Sequence, residues 1–373
     1  MLRCLLLVAA VSVWPPSNDR ARGAAFDAAA NDETSLTIVP ASDGTKPAIA
    51  PSESPAAAPP AADRIFLIST RGVGTRCDGE LMNERLQCEQ LINGERGGGR
   101  WQKVEFSKFT QEFADPLPTV FYVHGNRVER GEDKRHGLAV YRSIASRKQG
   151  DGALRYVIWS WPADQIRGQV RDYQVKAART GPVGWQLAWA IDQLPEQSPI
   201  SLVGYSYGAR VVTGALHLLA GGEMGKLRLD VRLHPQRRMR AALVAAAVDA
   251  DWLRPAGYHG RALEQVDELL LVNNQLDPAM RFYHLPLGDR HARALGYSGI
   301  PGSRNLGELG AKVRSVDASN LVGRHHGLTE YLSASTRLGR VWEQVVPAPA
   351  IDVPVDIPID AAVAERKTMG DLQ

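Results

Sequence analysis

Short apolar runs recur along this chain, and stretches with helical spacing separate most of them. Residues 64–70 (RIFLIST), 118–123 (PTVFYV), 155–161 (RYVIWSW), 200–203 (ISLV), 241–248 (AALVAAAV) and 268–273 (ELLLVN) read as strands. Most are predominantly apolar, which is what a strand covered on both faces needs. Helical spacing predicts helices over 136–147, 165–178, 184–194, 209–220 and 329–345. Residues 104–109 (VEFSKF) read as an antiparallel partner strand, set after a long polar insertion over 71–100. Alternation of strand and helix predicts an α/β fold, a mostly parallel central sheet with helices on both faces, in a single domain over 64–346.

One junction in this series carries chemistry. Gly204-Tyr205-Ser206-Tyr207-Gly208 lies between the strand 200–203 and the helix 209–220, a G-x-S-x-G run at a strand-to-helix turn. Such a turn is tight: a serine at its apex is held in a strained conformation with its hydroxyl projecting at the sheet edge. Glycines two positions either side, here Gly204 and Gly208, let strand and helix approach. Ser206 is therefore a candidate nucleophile.

A nucleophilic serine needs a base, an acid that orients the base, and donors for a developing oxyanion. His124-Gly125-Asn126 directly follows the strand 118–123. The glycine lets the chain turn so that the Asn126 N–H faces the site, and Tyr207, next after the serine, supplies a second N–H. His124 itself reads as a hydrogen-bonded structural histidine. Three carboxylates fall between the serine and the late histidines: Asp249, Asp251 and Asp277. Position alone leaves the choice open, and Asp277, in the polar turn after ELLLVN, is preferred. Of nine histidines, His325 and His326 come latest, in a loop ahead of the final helix. His326 is preferred because it lies nearer the helix start beside Gly327, with His325 the alternative; His217, His284 and His291 read as structural. Adjacent histidines on one loop rarely point the same way and no carboxylates cluster with them, so no metal site is expected.

Composition changes the picture mainly at the ends. Arg3 followed by an apolar run from Cys4 to Trp14 resembles a secretory signal and is too short to span a bilayer, which predicts an exported protein with a signal peptide over 1–24. Residues 25–63 are an Ala/Pro-rich linker, and 347–373 a Pro-rich tail. The 44 basic and 41 acidic residues leave a formal charge of +3, with no basic stripe or motif for nucleic acid. Cys77 and Cys88 flank a polar stretch and, in an exported chain, are candidates for a disulfide.

The strand with HGN, the GYSYG elbow, the late NQLDP and the GRHHGLTEYL segment together resemble the α/β-hydrolase superfamily, in particular its serine esterase and lipase-like members. The resemblance implies a Ser206 nucleophile, a His326 base, an Asp277 orienter, an oxyanion hole from the backbones of Asn126 and Tyr207, and no cofactor. The implied activity is cleavage of a small-molecule carboxylic ester through an acyl-enzyme. The chain departs from the family in showing HGN where some lipases carry HGGG, in its 71–100 insertion, and in having no long apolar run that reads as a lid. The same triad serves thioesterases, acyltransferases and peptidases, and an inactive scaffold acting as an exported binding protein is the alternative from another class.

Overall fold

The computed structural model describes residues 62–92, 99–115, 117–148, 152–229, 237, 239–288, 291–338 and 340–346. The expected signal peptide over 1–24, nearly all of the Ala/Pro-rich stretch over 25–63 and the tail over 347–373 lie outside the described residues. In chain order the strands are β1 (Arg64–Ser69), β2 (Gln87–Ile92), β3 (Arg100–Val104), β4 (Thr119–Val123), β5 (Arg155–Ser160), β6 (Ile200–Tyr205), β7 (Met239–Val244), β8 (Glu268–Asn273) and β9 (Val313–Asp317). The helices used below are α1 (Gly79–Arg85), α2 (Phe106–Gln111), α3 (Glu132–Ala145), α4 (Gln169–Asp192), α5 (Tyr207–Leu219), α6 (Pro278–Arg281) and α7 (Leu328–Ser333).

The strands form one sheet in the order β3-β2-β1-β5-β4-β6-β7-β8-β9. From β1 to β9 every pairing is parallel, while β2 and β3 add an antiparallel hairpin beyond β1. Side chains alternate across the sheet with a period of two. Phe66, Ile68, Phe121, Val123 and Leu202 enter the core beneath α4 and α5, and Ile65, Leu67, Val120, Tyr122 and Val203 enter the core beneath α3 and the C-terminal helices. All five residues of β4 and all six of β6 are buried, which accounts for their mainly apolar sequences.

The strand order puts a reversal between β4 and β6. The chain leaves β4 toward β5 on one side, then returns through α4 to β6 on the other. A crevice opens at the carboxyl ends of two strands at such a reversal. His124-Gly125-Asn126 leaves β4 there, and Ser206 leaves β6 there.

Several elements differ from the sequence reading. Residues 104–109 are not a strand: β3 ends at Val104, and Phe106, Phe109 and Phe113 recur at helical spacing in α2 and the turn after it. Phe109 packs edge-on to Phe66 (5.2 Å) and Phe113 (5.3 Å). The polar insertion contains α1 and β2. Helices expected over 165–178 and 184–194 are one 24-residue helix, α4, running through Pro182. A mid-helix proline forgoes one backbone bond, and burial of α4 against α5 offsets that loss. Gly184 allows the approach, because a Cβ there would stand 3.2 Å from the Val211 carbonyl oxygen. The final helix is broken into short pieces from Leu328 onward.

The expected disulfide is absent, and both cysteines are free thiols. Cys77 lies against the Pro182 carbonyl of α4 (3.8 Å), whereas Cys88 sits in β2, buried in the core and paired across the strand with Ile68 and Val104. Burial pushes the Cys77 thiol up to about 11 and the Cys88 thiol up to about 12.

Candidate active site

Ser206 sits between β6 and α5 at φ 53°, ψ −118°, a region that L residues rarely adopt. The surrounding glycines show why. A Cβ on Gly204 would lie 2.6 Å from the Ala209 Cα, and one on Gly208 would lie 2.0 Å from the Val123 carbonyl oxygen. Both contacts are with backbone, so only glycine fits. The Ser206 N–H donates to the Val244 carbonyl of β7 (3.0 Å), and its own carbonyl accepts from Ala209 (3.1 Å) and Ala247 (3.2 Å). Neighbouring backbone thus holds the strained residue from both sides.

The other two triad candidates meet it. Asp277 caps α6: its Oδ1 accepts from the N–H of Ala279 (2.8 Å) and of Met280 (3.4 Å), with Pro278 at the first helical position. That leaves Oδ2 for His326 Nδ1 at 2.6 Å. An acceptor at Nδ1 places the ring proton there, so Nε2 accepts from the Ser206 hydroxyl at 3.1 Å. Asp277 is fully buried, and Ser206 and His326 nearly so.

The alternatives separate clearly. His325 is exposed beside the buried His326. Asp251 is exposed and pairs with Arg254 (3.5 Å). The Asp249 carboxylate hydrogen-bonds Tyr283, whose hydroxyl also accepts from Arg210 (2.8 Å). Among the other histidines, His217 bridges the Glu223 carbonyl and the Arg261 N–H within a helix-packing corner.

The HGN segment lies against the serine. A Cβ on Gly125 would come within 3.1 Å of the Ser206 Cβ. The N–H of Asn126 has no acceptor among the described residues, and Tyr207, as the first residue of α5, has no intrahelical acceptor for its own. His124 is enclosed: its ring stacks on Trp161 (5.7 Å), its Nδ1–H donates to the Gly125 carbonyl (2.9 Å), and its Nε2 accepts from the Trp161 N–H (3.3 Å). Burial lowers it to about 4, so it is neutral at physiological pH.

Three further positions support these loops. Tyr205 packs its ring beside His326 and donates its hydroxyl to the His326 carbonyl. Fully buried Asn274 donates to the Gly323 carbonyl (2.8 Å) and accepts from the Leu276 N–H (2.9 Å), tying the acid loop to the histidine loop. Asp172, on α4, is hydrogen-bonded to the Asn126 side chain (3.1 Å). Tyr205 and Asn274 stand within the GYSYG and NQLDP neighbourhoods, which was the available signal; Asp172 lies in neither.

Serine after the switch-point strand, acid after β8 and histidine after β9 converge at one sheet edge, in the chain order Ser, Asp, His. The fold is of the α/β-hydrolase type. No family model matches the chain, and no curated protein matches it. Solved structures similar to it include the catalytic core domain of an acetyl xylan esterase from Trichoderma reesei, 16% identical, covering 62% of this chain and 97% of that one, with a TM-score of 0.35. Carboxyl esterase 2 from Tuber melanosporum is 13% identical over 71% of this chain and 83% of that one (TM-score 0.36). Esterase B from Lactobacillus rhamnosis is 14% identical over 76% and 87% (TM-score 0.35). With TM-scores this low, the fold assignment stands on the chain's own strand order and on the contacts at Ser206. Among the described residues no cluster of three or more His, Cys, Asp or Glu could hold a metal ion, and no helix is long and apolar enough to cross a membrane.

Proposed function

We propose that the protein is a serine hydrolase that cleaves a small-molecule carboxylic ester through an acyl-enzyme. The observation carrying this reading is the relay Asp277–His326–Ser206, at 2.6 and 3.1 Å, built on a serine held at φ 53°. In this mechanism His326 Nε2 takes the Ser206 proton as Oγ attacks the ester carbonyl, and Asp277 Oδ2 stabilises the imidazolium through Nδ1–H. The N–H groups of Asn126 and Tyr207 receive the oxyanion, the latter aided by the positive end of α5. Collapse expels the alcohol, protonated by His326, and water then attacks the acyl-serine with the same base.

The test is hydrolysis of p-nitrophenyl esters from acetate to palmitate, with fluorophosphonate labelling, for wild type and Ser206→Ala. Turnover and labelling that both vanish in the variant are expected. A wild type that neither turns over nor labels would sink the reading in favour of a binding scaffold.

A further inference from the structure

The loop that follows β4 is held by a charged cluster remote from it in sequence. Asp172 is fully buried in the first turn of α4, yet its carboxylate is shared by four donors from three segments. Oδ2 accepts from Asn126 Nδ2 (3.1 Å) and Arg127 Nε (2.9 Å); Oδ1 accepts from Lys176 Nζ (2.8 Å) and the Ile166 N–H (3.1 Å). Arg127 adopts φ 58°, unusual for a residue with a Cβ, and its guanidinium lies 5.1 Å from the ring of Tyr173, which packs against Tyr207. The loop therefore makes a strained turn at Arg127, immediately after Asn126, and the Asp172 carboxylate holds both residues.

Stability alone is a poor reason for such a cluster, because desolvating buried charges largely cancels their attraction. The effect on Asn126 is directional. Its side chain is drawn toward α4, which fixes the rotation of the residue whose N–H has no acceptor beside Ser206.

We propose that Asp172 is a positioning residue: held by Arg127 and Lys176, it sets the oxyanion donor through the Asn126 side chain. The inference rests on the hydrolase reading above.

The test uses the full chain as wild type, Asn126→Ala, Asp172→Asn and the double variant. The readouts are kcat and KM for p-nitrophenyl acetate, the inhibition constant of phenylboronic acid, whose tetrahedral adduct on Ser206 fills the oxyanion site, and Tm. Both single variants are expected to lose about 10- to 100-fold in kcat, with KM within about threefold of wild type and boronate affinity falling in step with kcat. The double variant is expected to be no worse than the poorer single, since both act through one contact. If Asp172→Asn does not fold, Asn126→Ala decides, because it leaves the ion cluster intact. An Asn126→Ala enzyme with wild-type kcat, or losses that add in the double variant, would overturn the positioning role while leaving the hydrolase reading standing. A wild type with no Ser206-dependent turnover would overturn both.

Discussion

At the scale of single residues, the site is decided by which Asp277 oxygen is turned toward His326 once the helix cap has taken the other. The α6 cap uses Asp277 Oδ1, so Oδ2 alone faces the imidazole. In Asp277→Asn the amide can still cap, but its N–H₂ then faces Nδ1 and favours the wrong tautomer. The expected loss in kcat is on the order of 10³- to 10⁴-fold, whereas exposed Asp251→Asn should stay within about twofold of wild type. Steady-state kinetics on one ester check both, and the reverse ranking would refute the assignment of the orienter. Tyr205→Phe removes the hydroxyl that holds the His326 carbonyl. A several-fold fall in kcat with a small change in Tm is expected, since one hydrogen bond contributes about 1 kcal/mol.

At the scale of elements, the elbow works because strand, turn and helix are packed backbone to backbone. A methyl group at Gly208 would overlap the Val123 carbonyl, and no side-chain rotation relieves it. Gly208→Ala is expected to lower stability by about 1–3 kcal/mol or more, and to cost activity because the end of β4 must shift. Gly152→Ala is the control, with open space around the added Cβ. Thermal melts of the two should differ by several degrees; equal Tm values would mean that the elbow relaxes freely.

At the scale of the whole molecule, stability should depend on pH through histidines folded into apolar surroundings. Burial lowers His124 to about 4 and His259 well below the ordinary imidazole value. Unfolded imidazoles titrate near 6.5, so between there and pH 4 the unfolded chain takes up protons that the folded one refuses. The stability contributed by neutral burial is present in full above about pH 6.5 and is lost as pH falls toward 4. Urea midpoints should drop progressively across that window, and a flat profile would contradict the buried, neutral state of these rings. Reductant, by contrast, should leave Tm unchanged, since Cys77 and Cys88 are unbonded.

Much of this was legible in the chain before folding, and the residues that were not share a physical cause. Local pattern alone determined the fold class, the elbow at Ser206 and the two loops that carry Asp277 and His326, because burial on both faces writes β4 and β6 as mainly apolar runs and a tight strand-to-helix turn demands glycine. Strands toward the two margins of the sheet were unreadable: β2 and β9 are largely outside the core and carry little apolar pattern. The helical spacing lapses between 178 and 184, yet packing of α4 on α5 carries one helix through Pro182. Which of Asp249, Asp251 and Asp277, and which of His325 and His326, comes to lie beside Ser206 was decided by tertiary structure, since all of these residues lie near strand ends and only burial and distance separate them. The same holds for Asp172, whose contact with Asn126 joins residues 46 positions apart and exists only because strand order brings α4 beside the end of β4.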